Sequence, residues 1–268
     1  MERAARERNQ TDRKTDIGLA IGYVFDFQDA VAYERWFDNR RNQLATELES
    51  GLMLDMLGPA SRESILDVGC GVGSILQPLL DRDLAVTGID PSPYMLDIVF
   101  QRFENRVELY RGYAEELPFD DNSFNHASFF TSLEFVDDPK KALSEAFRVA
   151  KDRVFLGVLN RYALKGVQRR VAGVFSQTIY NRARFFSIWE LKRTVRELLG
   201  EVPISWRTVC LFPEPEGRIV SSIERSTLVQ HCPFGTFVGM VVTLVPRFRT
   251  RPLALRYQAK QAPRALPT

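Results

Sequence analysis

Apolar and polar positions divide the chain into two textures. Between residues 17 and 57 apolar side chains recur at helical spacing, with aromatics at Tyr23, Phe25, Phe27, Tyr33, Trp36 and Phe37, and predict a helical segment. From Ser64 onward short apolar runs alternate with helical stretches, the pattern of a parallel sheet wound with helices. The runs fall at 64–68, 84–89, 107–110, 126–131 and 153–158, with two more at 206–211 and 237–244. Helix starts are marked as well. Ser92-Pro93 and Asp138-Pro139 each set a capping side chain before a proline at the first helical position. Ser187 and Glu190 form a capping box ahead of a helix that closes at Gly200.

Composition narrows the class. The 268 residues are 45% hydrophobic and 26% charged, enough for a sizeable core and too apolar for wholesale disorder. The longest apolar run, 235–245, is well short of the ~20 residues a helical membrane span needs. No apolar stretch follows the charged opening residues, so no secretory signal is read. Cys70, Cys210 and Cys232 show no CxxC spacing, which suggests neither a disulfide framework nor a zinc cage and fits a reducing, cytoplasmic setting. The net charge of +2 hides an asymmetry: Arg247, Arg249, Arg251, Arg256, Lys260 and Arg264 close the chain without an acid. Residues 161–189 are likewise basic without an acid. The expected organisation is a flexible leader (1–16), one domain (17–245) and a basic tail (246–268). Within the domain, 17–60 form a helical cover and 161–187 an insertion or lid.

The most informative segment is SILDVGCGVGS, residues 64–74. A buried strand runs into Gly69-Cys70-Gly71-Val72-Gly73 and then a helix. Glycines permit a sharp turn and a close backbone approach to a ligand, and the helix start offers unpaired N–H groups to an anionic group. The next run ends in Asp90, and an acid at the tip of the second strand is where a ribose diol is held. Both features also occur in nicotinamide-dinucleotide proteins, so an oxidoreductase stays open at this point. The G-x-G-x-G spacing, Asp67 within the first strand and the D-P-S-x-x-M continuation are the discriminating details.

Four ordered blocks carry a resemblance: ILDVGCGVG, TGIDPSPYML, GYAEELPFDDNSFN and LEFVDDPKKALSEAFRVA. Together they resemble the class I S-adenosylmethionine-dependent methyltransferases of the type-11 group, similar to those of ubiquinone and menaquinone biosynthesis. The resemblance implies a Rossmann-like, doubly wound α/β fold with a seven-stranded sheet, mostly parallel with an antiparallel last strand. It implies S-adenosyl-L-methionine as cofactor. Gly69, Cys70, Gly71 and Gly73 would line its methionine portion, and Asp67 would orient its amino group. Asp90 would hold both ribose hydroxyls, Pro91 and Met95 would flank the adenine, Ala114 and Glu115 would meet its edge, and Thr131 would stand near the sulfonium. Two departures are visible: Tyr113 occupies a position where similar enzymes have Asp, and Glu134-Phe135 replaces a common histidine pair.

Other residues are weighed singly. Cys70 reads as a small buried thiol rather than a nucleophile. His126, at the start of the fourth strand, reads as a packed or capping histidine away from the cofactor end. His231 lies in the connection before the last strand; it is the one candidate base, against a simple loop role. Tyr33 and Trp36 are candidates for the pocket, against a core-packing stripe. Glu134 and Asn160 at strand tips, with Arg169 and Arg170 in the basic insertion, are candidates for the acceptor side. Between them these predict a small or medium organic acceptor with an apolar part. The basic insertion also reads as an anionic-substrate clamp or a peripheral contact with an anionic membrane surface, against a solvated basic face. No metal ligand set and no nucleic-acid module are read. A non-catalytic scaffold that keeps the cofactor site is the remaining alternative.

Overall fold

The computed structural model describes residues 23–37, 40–163, 183–209 and 226–244. The leader 1–16, the tail 246–268, and Cys210, Arg169 and Arg170 lie outside them. Two helices open the described chain, α1 (Phe27–Phe37) and α2 (Arg40–Leu57). Then follow β1 (Ser64–Val68), α3 (Leu76–Leu80), β2 (Ala85–Asp90), α4 (Pro93–Phe103), β3 (Glu108–Arg111), β4 (Phe124–Phe130), α5 (Pro139–Val149) and β5 (Ala150–Leu159). The last are α6 (Ile188–Leu199), β6 (Ile204–Val209), α7 (Thr227–Gln230) and β7 (Phe237–Thr243).

The seven strands lie in the order β3-β2-β1-β4-β5-β7-β6. β1 to β5 pair in parallel, whereas β7 is antiparallel to both β5 and β6. The expected doubly wound sheet with an antiparallel last strand is therefore what the chain forms. It differs from the 3-2-1-4-5-6 order of dinucleotide-binding sheets, because β7 is inserted between β5 and β6.

Side chains alternate along each strand, so both faces of the sheet are covered. In β5, Val154, Leu156 and Val158 join Ala142, Leu143 and Ala146 of α5 and Ile188, Leu191 and Val195 of α6 on one face. Phe155 joins Leu52, Met53 and Leu57 of α2, Leu76 and Leu79 of α3, and Val99 and Phe103 of α4 on the other. The predicted caps are present: Ser92, Asp138 and Ser187 accept the N–H of Met95, Lys141 and Glu190. Residues 23–26, expected within the helical cover, are not helical. Long-range bonds explain the difference: Tyr23 N–H donates to the Phe135 carbonyl at 3.1 Å, and Ser92 Oγ donates to the Phe25 carbonyl at 2.7 Å. This short strap crosses the carboxyl ends of the parallel strands, where open α/β sheets bind ligands.

Candidate functional site

The turn after β1 is built from three glycines with left-handed φ: Gly69 at 73°, Gly71 at 52° and Gly73 at 77°. The N–H groups of Gly69 and Cys70 both donate to the Ile89 carbonyl, at 2.8 and 3.1 Å, which folds the loop onto the end of β2. Each glycine has its own reason. A Cβ on Gly69 would stand 2.5 Å from Ser132 Cβ, so the tip of β4 can approach only a bare backbone. A Cβ on Gly73 would stand 2.9 Å from the Phe103 ring, so this glycine serves the packing of α4. A Cβ on Gly71 would meet only Tyr33 Cε1, at 4.0 Å; it would project into a cleft.

Two acids lie under that cleft. Asp90, 8% exposed, accepts the N–H of Gly71 at 2.9 Å on one oxygen and that of Ser92 at 2.9 Å on the other. Each oxygen keeps a further lone pair. Burial lifts the Asp90 carboxyl to about 6, against the lowering effect of the Ser92 and Gly71 amides. Asp67 sits deeper, level with Gly88 on β2 and Ser128 on β4. Ser128 Oγ donates to it at 2.9 Å, and burial, reinforced by the Asp90 charge, raises it to about 7. Cys70 is buried, and burial together with the charges of Asp90 and Asp67 pushes its thiol up, so it is an inert packing group and not a nucleophile.

Across the cleft, Thr131 closes β4 with a φ of 51°, a conformation a β-branched residue adopts only where its surroundings enforce it. Its N–H donates to the Gly157 carbonyl at 2.8 Å, and the neighbouring Ser132 Oγ donates to the Val68 carbonyl at 2.6 Å. The strap supplies the roof. Tyr23, Phe25 and Phe135 meet edge-on or tilted with centroids 5.1 to 6.5 Å apart, and Phe25 meets Tyr33 edge-on at 6.0 Å. The cleft measures about 820 Å³ with its open mouth included.

The sequence-derived candidates distribute around this cleft. Gly69, Cys70, Gly71, Asp90, Pro91, Met95, Ala114, Glu115, Thr131 and Tyr33 line it, as does Tyr113. Gly73 and Asp67 support it from behind. The Glu115 carboxylate accepts the N–H groups of Asp137 and Asp138, at 3.0 and 3.3 Å, so its side chain braces the loop beyond β4. Trp36 stacks on Tyr33 at 6.0 Å and stands one layer out. Asn160 is fully buried with its side chain engaged: it donates to the carbonyls of Pro233 and Gly235 and accepts the N–H of Tyr162. Glu134 is buried without lining the cleft. His231 is exposed and lies 6.1 Å from the Trp206 ring beside the edge strand β6, away from the cleft lining. His126 bonds Glu63 at 2.8 Å in the first half of β4, as expected of a packed histidine.

Tyr23 and Phe25 of the leading aromatic segment and Ser132 of the β4 tip also line the cleft, as does Val136, which carries no signal in the sequence. Aromatic spacing before the sheet was the available signal for the first two. No helix among the described residues is long and apolar enough to cross a membrane.

Comparison with known proteins converges on one family. A family model described as a methyltransferase domain, of the type-11 group, matches residues 66–156. An uncharacterized methyltransferase of Mycobacterium tuberculosis is 37% identical over 106 residues, 40% of this chain and 43% of that protein. The chain thus spans less than half the length of that relative. An uncharacterized protein of Methanocaldococcus jannaschii is 30% identical over 177 residues, 65% of this chain and 80% of its own length. Among solved structures, a methyltransferase of Thermotoga maritima described as S-adenosylmethionine-dependent and a possible histamine N-methyltransferase superposes with a TM-score of 0.60. It is 28% identical, with 81% of this chain and 96% of that chain covered.

Proposed function

Because this chain belongs to the type-11 family of S-adenosylmethionine-dependent methyltransferases, we propose that it transfers a methyl group from S-adenosyl-L-methionine to a small or medium organic acceptor with an apolar part. The observation that carries this reading is the Gly71 to Asp90 contact. One bond fixes a turn whose bare Cα faces the cleft and orients an acid whose remaining lone pairs match two vicinal hydroxyls. The residues fit the cofactor's parts. Asp90 would accept the ribose hydroxyls; Pro91, Met95, Tyr113 and Ala114 would flank the adenine; the backbone of 69–71 would meet the methionine portion, with Asp67 orienting its amino group.

When bound, S-adenosylmethionine supplies a methyl activated on a sulfonium, which leaves by in-line displacement with loss of the positive charge. The protein's task is alignment and exclusion of water. Thr131 and Ser132 shape the transfer end of the cleft. The Tyr23, Phe25, Tyr33 and Phe135 rings offer a dry lining, and aromatic rings favour a cation near them. Those rings favour an acceptor whose nucleophile is an organic amine. The Thermotoga protein's description points the same way. A reducing, cytoplasmic setting is proposed on the sequence ground of three cysteines without a pairing pattern.

Calorimetry tests the reading. S-adenosylmethionine and its demethylated product should bind and NAD should not; the reverse order overturns the proposal. Incubation with a metabolite pool should then yield S-adenosylhomocysteine, and its absence with every nucleophile class would leave only a binding module.

A further inference from the structure

One buried acid has no part in the proposed chemistry. Glu134 stands in the 3-10 turn Leu133–Phe135 just past β4 and is 1% exposed. Its Oε1 accepts the N–H of Leu159 at 2.7 Å, and its main-chain carbonyl accepts the N–H of Arg184 at 2.8 Å. Those amides belong to the two roots of the 161–187 segment: Leu159 ends β5, and Arg184 precedes α6. The roots also meet each other, since Arg161 N–H donates to the Phe186 carbonyl at 2.9 Å and Asn160 bridges Phe186. One residue at the β4 tip therefore grips both sides of this neck.

The other carboxyl oxygen, Oε2, is buried without a hydrogen-bond partner. Leaving a buried acceptor unmatched is destabilising by about 1–3 kcal/mol, and far more for a charge. Around it, the equally buried Glu49 of α2 adds like-charge repulsion. The Arg184 guanidinium is held by Glu190 at 2.7 Å, and that of Arg161 by Glu190 and the Phe185 carbonyl. Among the described residues, neither neighbouring cation is directed at Glu134.

Resting on the methyltransferase reading above, we propose that Glu134 is a positioning residue that ties both roots of the 161–187 segment to the β4 tip, the Leu159 root through its carboxyl group and the Arg184 root through its main-chain carbonyl, so that the acceptor side of the cleft keeps one shape during transfer. The joint holds while the acid carries its proton. Burial, with the Glu49 charge adding to it, raises this carboxyl to about 8, so the proton is retained at neutral pH. Above that, an uncompensated anion loosens the neck.

The test compares wild type with Glu134→Gln and Glu134→Ala in the full chain. Amide hydrogen exchange is followed in peptides containing Leu159 and Arg184 from about pH 6 to 9, with rates referred to the intrinsic rate at each pH. Wild-type protection should fall by roughly tenfold above about pH 8. The Gln variant keeps an acceptor oxygen and cannot ionise; it should stay protected throughout. The Ala variant should be unprotected at Leu159 at every pH, with a smaller loss at Arg184, whose amide meets the retained main-chain carbonyl. Affinity for S-adenosylhomocysteine should agree within about twofold among all three. A Gln profile that falls like wild type, an Ala variant as protected as wild type, or an affinity loss shared by both variants overturns the proposal. A wild-type chain that binds neither cofactor nor product sinks the methyltransferase reading instead, and the exchange profiles stand apart from that result.

Discussion

The two sides of the cleft are made differently. The side formed by the tips of β1 and β2 consists of local backbone geometry: left-handed glycines, one carboxylate and two amides within residues 67–92. The side formed by the tips of β4 and β5 consists of bonds between distant segments: Glu134 to Leu159 and Arg184, Asn160 to Pro233 and Gly235, Tyr23 to Phe135. A ligand common to a whole family can be gripped by a local motif. An acceptor that varies among its members is better served by a wall whose shape depends on inserted segments.

Substitutions that separate the two sides should differ in kind. The largest effect is expected for Gly69→Ala. The new methyl group would combine left-handed strain with a 2.5 Å approach to Ser132, destabilising the fold by about 3 kcal/mol or more and abolishing cofactor binding. Thermal unfolding and calorimetry check both. Gly71→Ala sharpens the contrast: strain of about 1 kcal/mol, yet a far greater loss of affinity, because its methyl enters the cleft. Equal losses in stability and binding would refute that division.

On the other side, Asn160→Ala removes three side-chain bonds to the backbone. It should lower stability by about 2–3 kcal/mol while cofactor affinity changes by less than about twofold. A parallel fall in affinity would merge the two halves.

pH gives a smaller, graded signal. Asp90, Asp67 and Glu134 all have native values raised above their ordinary ones, to about 6, 7 and 8. Between about pH 4 and pH 8 the native chain then binds more protons than the unfolded one, so these groups stabilise the fold at low pH and that contribution is lost as pH rises. A cationic ligand prefers the ionised Asp67 and Asp90. Cofactor affinity should therefore rise from about pH 5 to 7, with protons released on binding; calorimetry in buffers of different ionisation enthalpy reads that release. Proton uptake would reverse the assignment. The smallest effect is reserved for Tyr113→Ala, a loss of about 0.5–1 kcal/mol in cofactor affinity if the ring packs on the adenine.

What was legible follows the same divide. Strand positions and the caps at Ser92, Asp138 and Ser187 are readable because apolar period and capping chemistry are written in adjacent residues. So are Asp90 and the glycine turn. The packing of Gly73 against Phe103 is not legible in the sequence, since contact with a helix packed later in the chain has no local signature. At the 23–26 strap the aromatic spacing suits a helix, and bonds to the distant Ser92 and Phe135 hold the segment out of one. Glu134 and Asn160 were noticed for their place at strand tips, but their actual bonds join segments far apart in the chain.

Ser92 works at both ends of a latch. Its hydroxyl proton goes to the Phe25 carbonyl, while its oxygen receives the Met95 amide that starts α4. Losing the strap breaks only the first of these contacts, so the roof can lift off its pin while the helix beneath keeps its cap. Opening the door does not require dismantling the frame.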